Sequence, residues 1–120
     1  MKKEIAEKWV QALRSGGYKQ TKEVLRNSDG FCCLGVLCDL YKKEPNSNVD
    51  WQHNKGKDYY SFFDDESCLP KPVLEWSGIK ILTARYSYGS IGGNTLIYHN
   101  DSGATFLQIA DIIEREVENL

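Results

Sequence analysis

The run from Gly30 to Tyr41, GFCCLGVLCDLY, limits the fold of this chain more than any other stretch. It is apolar almost throughout, so it leaves water by being buried. From about Cys33 to Lys43 the pattern predicts a helix, with Cys33, Leu37, Leu40 and Tyr41 on one face and Pro45 ending it. Gly35 reads as a place where another backbone comes close, since glycine alone has no Cβ in the way. The same run packs three of the chain's four cysteines into seven positions. Those thiols could be metal ligands, a nucleophile or small core side chains.

Spacing argues against zinc. No C-x-x-C pair occurs, and structural zinc sites are generally built from such close pairs. Cys32 and Cys33 are adjacent and point in different directions, while Cys38 lies about 140° round a helix from Cys33. A disulfide is also disfavoured. MKKEIAEKWV is charged and lacks the apolar segment of a secretory signal, so a reducing cytosol is expected. The nucleophile reading would place Cys32 or Cys33 at a helix start, with His99 as base and Asp101 as its orienter. Against it stand the apolar neighbours Phe31, Leu34, Val36 and Leu37, the usual company of inert thiols.

Other elements follow from periodicity. Ile5, Trp9, Ala12 and Leu13 predict a helix over 3–14, stopped by Ser15-Gly16-Gly17. Asn27-Ser28-Asp29-Gly30 predicts a small hairpin or a tight turn into the cysteine helix. Residues 45–69 read as a long loop, with Tyr59 to Phe63 as a possible strand. Pro70 to Trp76 suits a short helix ending before Gly78. Ile81–Tyr88 and Thr95–Tyr98, around Gly92-Gly93-Asn94, predict a hairpin. The clearest helix is the last: Thr105 and Gln108 form a capping-box pattern, and Phe106, Ile109, Ile113, Val117 and Leu120 its apolar stripe. The expected architecture is a single small α+β domain over residues 1–120, with three main helices packed with short antiparallel hairpins.

Charge and composition then exclude several classes. Net charge is −2, without the polycationic signature of a duplex nucleic-acid or membrane-surface binder. No apolar run approaches the length of a membrane span. The helix over 33–43 has no polar recognition face, and the acidic C-terminal helix would repel phosphates. Gly89 to Gly93 is glycine-rich but lacks the lysine of a phosphate-binding loop, and no cofactor motif is present. The charge is uneven: residues 1–26 hold seven Lys/Arg against three Glu, and residues 101–120 five acids against one Arg. Two readings stand: a basic and an acidic helix lying together, or a basic site at Arg14, Lys19, Lys22 and Arg26 that receives a phosphate.

Four blocks, ALRSGGYKQTKEVLR, GFCCLGVLCDLY, LPKPVLEWSGI and NDSGATFLQIADIIE, cover about half the chain. In this order they resemble a family of short proteins encoded by tailed bacteriophages and prophages. The resemblance implies a viral origin and the host bacterial cytoplasm as workplace; it carries over no catalytic residues. Small phage accessory proteins include binders that withhold nucleotide immune signals, which makes such a role an expectation here.

The residues themselves allow that role. Aromatic faces stack on nucleobases, Arg and Lys neutralise phosphate, and Asn or Asp pairs with base edges or ribose hydroxyls. Candidate ligand-binding residues are Arg14, Tyr18, Gln20, Lys22 and Arg26 in the first block, Tyr86 and Tyr88 in the expected hairpin, and Asn100 and Asp101 before the last helix. Free N–H groups at that helix start would favour an anion. Equally, Tyr18 could pack over the core, and Asn100 and Asp101 could only hold a turn. The expected function is non-catalytic sequestration of a nucleotide-derived signal. Holding a ligand at nanomolar strength requires about 12 kcal/mol, which points to a pocket shared in a homo-oligomer. The alternatives are a protein-binding inhibitor or adaptor using the aromatic loop, and a cysteine-dependent hydrolase.

Overall fold

The computed structural model of the chain describes residues 1–86 and 94–120. The turn of the expected hairpin and Tyr88 fall outside the described residues. Among the described residues there are five helices: α1 Lys3–Arg14, α2 Cys33–Lys42, α3 Lys71–Ser77, α4 Leu96–Asp101 and α5 Phe106–Glu116. Two two-residue strands, β1 Gln52–His53 and β2 Tyr60–Ser61, pair antiparallel with Gln52 opposite Ser61 and His53 opposite Tyr60. The protein is an α+β domain, as its periodicities predict.

The helix α2 is the centre of the core. Every residue from Cys33 to Cys38 is buried, so it has no wet face over those turns. α1 packs on it and buries Ile5, Trp9, Val10 and Leu13 in the core, and the indole N–H of Trp9 donates to the Cys33 carbonyl at 2.9 Å. α5 closes the other side of α1 with Phe106, Ile109 and Ile113. Fully burying each of these aliphatic side chains contributes about 1.5–3 kcal/mol, which is why the amphipathic stripes determine the packing. Ser77 and Gly78 end α3, with Gly78 at φ 77° as a helix C-terminus favours.

Gly35 meets the close approach its position suggests. The carbonyl of Leu25 lies where a Cβ at position 35 would stand. That carbonyl also accepts the N–H of Cys32, tying the strap of residues 20–26 to the start of α2. Asn27 to Gly30 form the tight turn into α2 rather than a hairpin. The Asn27 side chain accepts from the N–H groups of Asp29 and Gly30, and only isolated bridges join Gln20 and Arg26 to Phe31.

The second strand of the second expected hairpin is corrected over Leu96 to Tyr98. Thr95 to Tyr98 is not a strand: Thr95 accepts the Tyr98 N–H at 3.1 Å and caps α4. A single antiparallel bridge joins Arg85 and Thr95. The strand propensity of Thr95, Ile97 and Tyr98 loses to burial, because Leu96 and Asn100, four residues apart, both face the core with no solvent exposure. The Tyr59–Phe63 strand shortens to β2.

Candidate functional site

Most of the sequence-based candidates separate into three places. Arg14, at the end of α1, makes ion pairs with Asp111 at 2.7 Å and Glu114 at 3.0 Å on α5. Hydrogen bonds to Glu114 and then Asp111 raise its pKa further. The basic and acidic helices therefore lie together, and Arg14 is engaged with protein carboxylates. A groove of about 350 Å³ beside it is lined by Ala6, Val10, Glu7 and Val117.

Gln20, Asn100 and Asp101 come together, but as an internal tie. Asn100 is wholly buried; its Oδ1 accepts from Gln20 Nε2 at 2.9 Å and from the Cys33 N–H at 3.1 Å. Its Nδ2 donates to the Thr21 carbonyl at 2.8 Å and to Asp101 Oδ1 at 3.3 Å. Gln20 Nε2 also donates to the Ala104 carbonyl, and Gln20 Oε1 accepts the Phe106 N–H. Asp101 Oδ1 accepts the N–H of Glu23, which sits at φ 72°. These two amide side chains thus serve the strap 20–26 and the first N–H groups of α2 and α5. Two of the N–H groups expected to be free for an anion at the start of α5 are occupied: Phe106 by Gln20, Gln108 by Thr105 in the capping box.

The third place is a wall of rings around Arg26. Its guanidinium carbon lies 4.2 Å from the centroid of Tyr60, 5.1 Å from Phe31 and 5.6 Å from Trp51. Phe31 meets Tyr18 edge-on at 5.1 Å and Trp51 at 5.8 Å; His53 tilts on Tyr60 at 5.0 Å. Among the described residues the Arg26 side chain has no carboxylate ion pair and no hydrogen-bond acceptor. Among the described residues no buried side-chain nitrogen lacks a partner, so its N–H donors reach solvent.

Tyr18 connects this wall to α2. Its hydroxyl donates to Asp39 Oδ2 at 2.6 Å and accepts from Lys43 Nζ at 3.0 Å, and Asp39 Oδ1 accepts the Trp51 indole N–H at 3.1 Å. Burial, then the Asp39 hydrogen bond, pushes the phenol pKa up, while the bond to Tyr18 raises that of Lys43. Asp39 thereby fixes two rings of the wall. Tyr18, Arg26 and their partners Phe31, Trp51 and Tyr60 are brought together. Lys22 is exposed on the strap. Tyr86 shares a hydrogen bond of 2.8 Å with His99 Nε2, their rings stacked at 5.9 Å. Phe31, Asp39 and Lys43 were not singled out from sequence; the Asp39/Lys43 spacing of four on a helix was the available signal.

The thiols are set against nucleophilic work. Cys32, Cys33 and Cys38 are buried, and desolvation pushes the Cys32 pKa up to about 12 and those of Cys33 and Cys38 well above the ordinary value. Cys32 is the N-cap of α2, its sulfur accepting from the Gly35 N–H at 3.4 Å. That bond lowers its pKa, but burial outweighs it. His99 is hydrogen-bonded to Tyr86. Among the described residues no three His, Cys, Asp or Glu side chains gather as a metal site. No described helix is long and apolar enough to cross a membrane.

The fold and its ring wall define a small α+β domain with a cation held on aromatic faces. Residues 1–117 match a domain of unknown function, DUF8296, and the chain belongs to that family. No curated protein and no solved structure matches it.

Proposed function

We propose that this protein is a non-catalytic binder of a nucleotide-derived anion, encoded by a phage and acting in the host bacterial cytoplasm to withhold an immune signal. The observation that supports this reading is Arg26: a guanidinium over three rings, with no carboxylate within ion-pair distance among the described residues although its charge reaches Asp50, and with donors open to solvent. A phosphate would take those donors as a charge-assisted pair. A base would stack on the ring faces beside it, as aromatic platforms bind bases of any sequence. Tyr18 and Lys43 stand at the edge of the wall with their hydroxyl and ammonium engaged by Asp39, so they position the rings rather than contact the anion. The buried, protonated thiols favour binding over turnover.

One wall covers one side of a ligand. Withholding a signal at nanomolar strength requires about 12 kcal/mol and hence burial of most of its surface. A second subunit facing the wall would supply the other side, so the reading includes a homo-oligomer.

The test is to purify the protein from cells producing nucleotide signals, heat it, and identify what is released by mass spectrometry. Intact ligand, with a thermal shift on adding it back, supports the proposal. Release of a cleaved product would return the hydrolase reading. No released ligand and no shift across a panel of mononucleotides, cyclic dinucleotides and ADP-ribose derivatives would sink it.

A further inference from the structure

A second surface, formed by the loop after β2 and the ends of α2 and α3, is not used by the ring wall of Arg26. Phe62 and Asp65 exchange both backbone hydrogen bonds, Phe62 N–H to Asp65 at 2.8 Å and Asp65 N–H to Phe62 at 3.0 Å. They enclose a two-residue turn, Phe63-Asp64, with φ 50° and 67°. Two successive left-handed residues are the geometry that Asn-Gly normally supplies in a hairpin. A bulky aromatic residue in that conformation is an outlier and is retained only when the surroundings hold it.

The turn carries Phe63 outward. Its side of the protein is 38% exposed at that residue, a large apolar ring left partly in water. The ring meets Tyr41 at 5.9 Å, and Tyr41 meets Trp76 at 5.4 Å, so three aromatic residues from the loop, α2 and α3 adjoin. Beside them a groove of about 230 Å³ is lined by Tyr41, Glu44, Pro45 and Trp76. Its surroundings are acidic. Asp64, Asp65 and Glu66 are exposed, Glu44 lines the groove, and Glu75 precedes Trp76. Lys8 pairs with Glu44 and Lys71 with Glu75, whereas among the described residues Asp64 and Asp65 have no cationic partner.

We infer that this surface docks an arginine-bearing segment of a partner protein. Arginine is the side chain that both features fit: its guanidinium stacks on aromatic faces and forms paired hydrogen bonds with a carboxylate. The rings of Tyr41, Phe63 and Trp76 supply the faces, and Asp64 and Asp65 the carboxylates. A lysine would lose the planar stack, and an acidic segment would be repelled.

Fluorescence anisotropy with a labelled, capped peptide of arginine, leucine and glycine tests this, with lysine and glutamate counterparts as controls. The arginine peptide binds saturably, about tenfold tighter than the lysine peptide, and the glutamate peptide does not bind. Phe63→Asn keeps a residue that tolerates the left-handed turn but removes the ring, and binding falls about tenfold with the melting temperature nearly unchanged. Asp64→Gly relieves the turn and deletes a carboxylate, so melting temperature rises while affinity falls. Absence of saturable arginine-peptide binding, or equal binding by intact protein and Phe63→Asn, overturns the inference. A dimer in sedimentation that Phe63→Asn dissociates also overturns it, by assigning the surface to a second copy of this chain.

Discussion

Asn100 Oδ1 accepts a hydrogen bond from Gln20 Nε2 at 2.9 Å, in a place where Asn100 has no contact with solvent. The pair fastens the strap of residues 20–26 to α4 and to the starts of α2 and α5. Asn100→Ala leaves the Cys33 N–H, the Gln20 amide and the Thr21 carbonyl short of a partner. An unsatisfied buried group costs about 1–3 kcal/mol. Urea unfolding of Asn100→Ala should show a loss of about 3 kcal/mol or more; a loss below about 0.5 kcal/mol would remove the tie from the account.

Gly35→Ala places a Cβ on the Leu25 carbonyl. A backbone atom on a strap that is itself hydrogen-bonded to Cys32 and Glu66 has little room to retreat. Overpacking of this kind costs about 1–3 kcal/mol, occasionally more. Calorimetry of Gly35→Ala should show a lowered melting temperature despite the better helix propensity of alanine. An unchanged or raised value would contradict the close approach.

The buried thiols make stability depend on alkaline pH. A thiol whose folded pKa is raised holds its proton in the folded chain after the unfolded chain has lost it. The folded state then binds more protons, so stability falls as pH rises. For Cys32 the contribution is intact below about 9, the ordinary thiol value, and declines through the window up to about 12. Each such thiol steepens the fall by up to about 1.4 kcal/mol per pH unit. Urea midpoints between pH 8 and 10.5 should decrease, and Cys32→Ala should flatten the slope. In native protein a thiol reagent should modify the half-buried Cys68 first; rapid modification of Cys32 or Cys33 would contradict their burial.

Arg14 and Arg26 should behave differently although both belong to the same basic N-terminal stretch. Arg14 is held by two exposed carboxylates of α5, so Arg14→Ala changes the salt dependence of unfolding and leaves binding of the proposed ligand alone. Binding lost equally in Arg14→Ala and Arg26→Ala would mean that a general cationic surface, not the ring wall, attracts the ligand.

The long helices were legible because their burial follows a 3.6-residue period and their ends carry local chemistry. Thr105 and Gln108 announce α5 by themselves. α4 was not, since Leu96 to Tyr98 has strand-forming residues and what decides it, the burial of Leu96 and Asn100 in the core, is tertiary. The polar candidates show the same division. Gln20 follows the end of α1 and Asn100 precedes the start of α5, as ligand contacts could, yet their partners are the N–H groups of Phe106 and Cys33, far along the chain. Arg26 was visible as a cation; its rings come from Phe31, Trp51 and Tyr60, three positions joined only by folding.

The central claim is that the ring-held guanidinium of Arg26 receives a phosphate. Titration calorimetry with the ligand recovered from cells, on intact protein and on Arg26→Lys and Tyr60→Ala, addresses it directly. The account predicts a loss of affinity of about tenfold or more in each variant, with unfolding midpoints close to that of the intact protein, because lysine keeps the charge but not the fork or the stack. Undiminished affinity in a folded Arg26→Lys and a folded Tyr60→Ala would contradict it.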